Sequence, residues 1–223
     1  MRFCGITILL PLQRAVISCI LRHPLLQDNN KKYKSPSSPS SPRGKVFRSS
    51  SFVFRQKSLS LWVMEKYKIL FVCLGNICRS PAAHGVMQRL IEDEGLDSII
   101  EVDSAGTYGG HQGQLPDHRM RRHAARRGYD LTHRSRPVVQ SDFTHFDMIV
   151  AMDDGNARDL KWMARTDITH RLVMMGDYLT PSQKHSYVPD PYYGGPEDFE
   201  LALDLVEDAC ANLLDYIKKN KLI

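Results

Sequence analysis

Cys73 and Arg79 stand six residues apart in the stretch CLGNICRS, Cys73 to Ser80. Sulfur is a nucleophile as the thiolate, and a guanidinium offers a planar fork suited to two phosphoryl oxygens. Between them, Leu74, Gly75, Asn76, Ile77 and Cys78 form a short loop whose glycine and asparagine admit unusual backbone angles. Loop N–H groups and those opening the following helix can converge on an anion, with the helix dipole adding positive potential. The same nest stabilises a thiolate. Free cysteine titrates at roughly 8.5 and comparable surroundings lower it by one to several units, so Cys73 is expected to be nucleophilic at neutral pH. The C-x5-R spacing alone recurs by chance in many chains, and the bland reading of Cys73 is a buried structural thiol. Context favours chemistry: an apolar run precedes the pair, and Ser80-Pro81 opens a helix behind it.

Attack on a phosphate ester also needs an acid for the departing oxygen and a base for water. Asp190 suits both, set between Pro189 and Pro191 and just ahead of Tyr192 and Tyr193. It follows Cys73 by 117 residues, so only the fold can join them. By composition alone, DPYYGG reads as a surface turn with two exposed tyrosines.

The elements that must position these residues are legible from Tyr67 onward, where short apolar runs alternate with helix-length segments. That alternation predicts an α/β fold: a single three-layer domain over 65–223, with a four-stranded parallel sheet and helices on both faces, the phosphate loop following strand 1. Candidate strands are Ile69–Cys73, Ile99–Ser104, Asp147–Met152 and Arg171–Met175. Ser80 is expected to cap the first helix with Pro81 at its first position, Ala83, Val86, Met87, Leu90 and Ile91 on its inner face, and Gly95 as its stop. A second helix is expected from Asp117 to Arg127. A last one starts near Pro196 and aligns Phe199, Ala202, Val206, Ala209, Leu213 and Ile217.

With both motifs placed, the sequence resembles a low-molecular-weight protein tyrosine phosphatase over Tyr67 to about Lys219. The likeness rests on VCLGNICRSP, on DSAGT at Asp103–Thr107, RGYDLTHRSRP at Arg127–Pro137, FDMIVAMD at Phe146–Asp153 and DPYYGG at Asp190–Gly195. It implies Cys73 as nucleophile, Arg79 as phosphate clamp and Asp190 as general acid. It also implies a polar network of Asn76, Ser80, Ser104 and His133 holding the loop, with the Ser80 hydroxyl bonded to the thiolate. Asp153 matches a position of structural support. Cys78 has two readings: a small loop side chain, or, as the family implies, the partner of a reversible disulfide that shields Cys73. Ile77 resembles the tyrosine-specific members, where those acting on phosphoarginine carry threonine. The aromatic that usually lines one cleft wall is replaced by Gly110, which leaves either Tyr108 to take its place or a more open cleft; Tyr192, beside Tyr193, is the opposite wall. The resemblance implies phosphotyrosine proteins and small aryl phosphates as substrates, with no cofactor and no metal.

Composition narrows the rest. Hydrophobic residues make up 42% of 223, enough for one core. The first 64 residues hold 11 Lys/Arg and one acidic residue, so the +5 chain carries its basic excess there and the remainder is at −5. That disfavours a nucleic-acid surface. Residues 1–64, Ser-rich and with no acidic residue from Lys34 to Ser60, are expected to be a disordered extension serving as a transit peptide to plastid or mitochondrion. The alternatives are a solvated tail, or a cytoplasmic product starting at Met64. The run ITILLPL, Ile6 to Leu12, is too short to span a bilayer. Five cysteines in no regular spacing argue against a disulfide scaffold, and nine scattered histidines give no zinc-ligand spacing. Cys210 is expected in the core. Seven arginines from Arg119 to Arg136 read as a solvated face or as a docking face for acidic partners. A monomer is expected. Two other functions share these residues: a thiol-dependent arsenate reductase, which needs further relay thiols, and a catalytically silent phosphoprotein-binding module.

Overall fold

Ile69, Leu70, Phe71 and Val72 have no exposed surface at all, the condition of a strand buried on both faces in the middle of a parallel sheet. The computed structural model describes residues 65–220 together with Leu222 and Ile223, and the expected extension with its Met64 start lies outside them. In chain order the elements are β1 (Tyr67–Cys73), α1 (Arg79–Asp93), β2 (Ile100–Gly106), α2 (His118–Arg126), α3 (Asp142–His145), β3 (Met148–Ala151), α4 (Asp154–Met163), β4 (Leu172–Met174), a 3-10 turn (Met175–Tyr178) and α5 (Pro196–Lys219). The sheet order is β2-β1-β3-β4, all parallel, as in the flavodoxin-like arrangement.

Alternation along β1 divides the core. Ile69, Phe71 and Cys73 face α1, α2 and α5 in a cluster with Met87, Met120, Phe199 and Leu203. Leu70 and Val72 face the other way, with Phe143, Phe146, Ile149 and Leu160 from α3, β3 and α4. Every residue expected on the inner face of α5 is buried, and Cys210 lies in the core with its thiol against the Ala83 carbonyl oxygen at 3.7 Å. Each fully buried Leu, Ile or Phe contributes about 1.5–3 kcal/mol over its exposed state, which fixes the helices firmly under the loops they carry.

Several boundaries differ from the sequence reading. β2 runs on to Gly106, which places that glycine opposite Cys73. β4 is only three residues long and half-buried, as an edge strand can be. The first helix begins at Arg79 with Cys78 at its N-cap, so Ser80 does not cap it and Pro81 sits in its third position. The physical reason is that the Ser80 hydroxyl is engaged elsewhere. Gly95 and Gly128 take φ of +69° and +87° just beyond α1 and α2, where a left-handed residue ends a helix. Asp117 caps α2 as expected, accepting from the Arg119 N–H at 2.8 Å. The helices α3 and α4 were not anticipated.

Candidate active site

Cys73 ends β1 at the carboxyl edge of the sheet, 2% exposed, with its sulfur 3.1 Å from the Ser80 hydroxyl. The loop between them is built around Asn76, which takes φ +53°, a left-handed conformation that asparagine tolerates. Its side-chain N–H2 donates to the Ser80 and Ser104 hydroxyls at 2.9 and 3.0 Å. Its carbonyl oxygen accepts from the Arg136 N–H at 2.9 Å and lies 3.1 Å from His133 Nε2. Asn76 is thereby the tie that draws Ser80, Ser104 and His133 to one side of the loop.

Two further anchors complete the loop. The Ser135 hydroxyl donates to the Gly75 carbonyl at 3.1 Å, and the Asp117 N–H donates to the Ile77 carbonyl at 2.8 Å. Underneath, a Cβ on Gly106 would meet the Leu74 carbonyl oxygen at 2.6 Å and the Asn76 nitrogen at 3.0 Å, so the loop rests directly on strand backbone. The result is a cradle in which the N–H groups of Gly75, Asn76, Ile77 and Cys78 have no partner among the described residues. Backbone donors left unpaired in this way are rare, and these stand immediately before the start of α1, where negative charge is favoured.

Arg79 is the buried cation of the site. It donates through Nη1 to Asp153 and, at 3.3 Å, to the Val188 carbonyl, and through Nη2 to Asp190 Oδ2 at 2.6 Å; Nε is buried with no partner. Burial opposes its charge, but the facing Cys73 and the carboxylates of Asp190 and Asp153 outweigh burial and hold its pKa above the ordinary value. Asp153 also caps α4, accepting from the Asn156 N–H at 2.7 Å, which fits the supporting role expected of it. Asp190 is 41% exposed at its side chain, and its Oδ1 accepts from the Tyr192 N–H at 3.1 Å.

A cleft of about 200 Å³ opens over this arrangement, lined by Cys73, Leu74, Gly75, Ile77, Cys78, Arg79, Tyr108, His111, Asp190, Tyr192 and Tyr193. Tyr108 and Tyr192 both border it. A Cβ at Gly110 would overlap the Tyr108 ring, so the glycine is what gives that ring its place. Tyr192 lies under the Arg119 guanidinium, 5.4 Å from ring centre to Cζ, and meets Tyr193 edge-on at 4.9 Å. Tyr193 itself is 97% exposed. Cys78 is buried and its thiol is pushed well above the usual range, by desolvation first and by Asp117 next, so it is a protonated thiol beside the cradle. Among the described residues Cys73, Cys78 and Cys210 are free thiols.

Residues 68–222 match the family profile described as low molecular weight phosphotyrosine protein phosphatase. The chain belongs to this family. A low molecular weight protein-tyrosine-phosphatase of Streptomyces coelicolor is 41% identical over 155 residues, covering 69% of this chain and 94% of the relative. A solved protein tyrosine phosphatase of Entamoeba histolytica, with Hepes in its active site, superimposes with a TM-score of 0.67 at 46% identity, covering 70% of this chain and 99% of that one. The Drosophila arginine phosphatase superimposes with a TM-score of 0.63 at 31% identity, over 68% and 98%.

Every site residue expected from the family motifs falls in the cleft or in the network behind it. Four contributors were not expected: Ser135, Asp117 as a loop anchor, Gly106 and His111. Ser135 sits inside the quoted RGYDLTHRSRP motif, and Gly106 inside DSAGT, so each was within reach of the motif reading. The Asp117 contact is through backbone and left no mark in residue type.

Proposed function

We propose that the chain is a protein tyrosine phosphatase that hydrolyses aryl phosphate monoesters through a phosphocysteine intermediate. The observation that carries this reading is the convergence of the Cys73 sulfur, the Arg79 guanidinium, the Asp190 carboxyl and the loop residues Gly75, Ile77 and Cys78, whose N–H groups have no partner among the described residues, on one cleft. The names of the Streptomyces and Entamoeba relatives support it.

In this mechanism a phosphoryl group enters the cradle and takes the free N–H groups together with the Arg79 fork. Arg79 exchanges its bond to Asp190 for bonds to phosphoryl oxygens, its unpartnered Nε among the donors, and the released Asp190 is free to carry a proton. The Cys73 thiolate attacks phosphorus, the P–O bond to the aryl group breaks, and the phenolic oxygen leaves with the proton of Asp190. Asp190, now a carboxylate, takes a proton from water as that water attacks phosphocysteine. The S–P bond breaks, the sulfur leaves as a thiolate stabilised by the Ser80 hydroxyl, and inorganic phosphate is released.

Tyr108 and Tyr192 form walls that sandwich an aromatic ring, worth about 0.5–1.5 kcal/mol beyond burial. Phosphotyrosine on proteins and small aryl phosphates are therefore the substrate class. The Drosophila relative raises phosphoarginine as a second substrate, and Ile77 in place of threonine weighs against it. An arsenate reductase needs a relay of thiols, but Cys210 is sealed in the core and Cys78 is held protonated. The test is turnover of para-nitrophenyl phosphate and of a phosphotyrosine peptide, in EDTA, by the full chain and by Cys73→Ser. The variant is expected to fall to background while still binding inorganic phosphate. Ordinary turnover without the thiol would sink the mechanism.

A further inference from the structure

A second cavity, of about 460 Å³, opens between α1 and the loop after α2, lined among others by Pro81, His84, Gly85, Tyr129, Leu131 and His133. It shares no lining residue with the cleft over Cys73. Where His84 and His133 border it, one ring nitrogen of each and a carboxylate oxygen of Asp103 lie within 4.8 Å of one another. Sequence spacing gave no hint of this trio, which comes from α1, β2 and a loop.

The contacts of His133 fix which ring nitrogen it turns toward the trio. The Arg136 N–H can only donate, so the Asn76 atom it meets at 2.9 Å is the side-chain oxygen. His133 Nε2, 3.1 Å from that same oxygen, must therefore carry the hydrogen. The other ring nitrogen, Nδ1, faces Asp103 Oδ1 at 3.6 Å, with the Ser104 backbone also beside the ring. Asp103 also accepts from the Ser104 N–H through Oδ1 at 2.7 Å and from Arg136 Nη2 and Nε through Oδ2 at 2.7 and 2.9 Å, so Arg136 is bound at the oxygen that is not the one nearest His133. Next to them the His84 ring, its centre 5.1 Å from that of His133, has a buried Nδ1 with no partner.

We propose that His84, Asp103 and His133 are a binding site for one divalent transition-metal ion of the zinc type, with the cavity supplying room for water as a fourth ligand. Two imidazoles and one carboxylate are a donor set that zinc takes, at about 2.0–2.2 Å per bond. The three groups must draw inward from their present spacing, and the cavity beside His84 gives its side chain the freedom to do so. The ion touches no reacting atom. Its effect passes through His133: a metal on Nδ1 fixes the hydrogen on Nε2, the tautomer that Asn76 requires, so an occupied site braces the loop from behind. The binding claim stands on these three side chains and the cavity beside them, and does not depend on the reaction proposed at Cys73.

The experiment uses the full chain, freed of metal and carrying Cys73→Ser so that the cradle thiol cannot take the ion. Titration calorimetry with zinc chloride is expected to show one ion per chain, with affinity falling about tenfold or more when His84→Leu is added. In parallel, the Nδ1 nitrogen-15 resonance of His133 is expected to shift on zinc addition while Nε2 keeps its proton, a readout that needs no second variant. No binding by the Cys73→Ser chain, equal affinity with and without His84, or an unmoved His133 resonance would each overturn the site.

Discussion

Two buried or half-buried arginines in this molecule are each ringed by carboxylates, and they differ in what the ring leaves over. Arg127, just beyond α2, binds Glu200 and, at 2.7 Å each, Asp204 and Glu207 along α5, so all its bonds fasten one helix to another. Arg79 is held by Asp153 at the head of α4 and by Asp190 on an exposed loop, with Nε and four loop N–H groups beside it unpartnered among the described residues. The first cluster is closed. The second holds a cation in a place where an incoming anion can displace one carboxylate and find every other donor already aimed. The same pairing of residue types therefore gives a fastener in one region and an open set of donors in the other, and the difference lies in the donors that remain.

The contrast can be broken in four places. Arg79→Lys keeps the charge but loses the fork, and kcat for para-nitrophenyl phosphate is expected to fall by about 10³, with the protein folded by circular dichroism. Asp190→Asn keeps the shape but removes the proton, and a fall of about 10² to 10⁴ in kcat is expected for the same ester. Arg127→Met should do the reverse, leaving kcat untouched and lowering stability by about 1 kcal/mol in urea unfolding, since its partners are partly solvated. Smallest is Gly110→Val, whose side chain displaces the Tyr108 ring: KM for aryl phosphates is expected to rise about two- to tenfold, the range of one lost aromatic wall, with kcat unchanged.

How much of this could be read in the sequence follows from how far each interaction travels along the chain. The β1–loop–α1 unit is contiguous, so an apolar run, a glycine-asparagine pair and Ser-Pro were enough to place it. The pairing of Cys73 with Asp190 became legible only through the family motifs, because 117 intervening residues carry no local trace of it. Ser80 was misread as a cap, since its hydroxyl bonds the Cys73 sulfur and receives the Asn76 amide instead of meeting a helix N–H. The helix α4 escaped notice because only Asn156, Ala157 and Leu160 are buried on it, too few to set up a period, while Trp162 points outward at 87% exposure. The arginine run resolved into unlike members: Arg127 and Arg136 are tied to carboxylates, Arg119 lies over Tyr192 and Phe199, and Arg122, Arg126 and Arg134 are exposed.

The contact at Gly106 sets a thermal ceiling for catalysis. With the backbone of Leu74 and Asn76 seated on a strand and no side chain as a cushion, the cradle has no soft layer of its own to loosen on warming. On that seating, turnover in this protein is expected to fade together with the melting of the central sheet, as activity and circular dichroism followed through one temperature ramp would show.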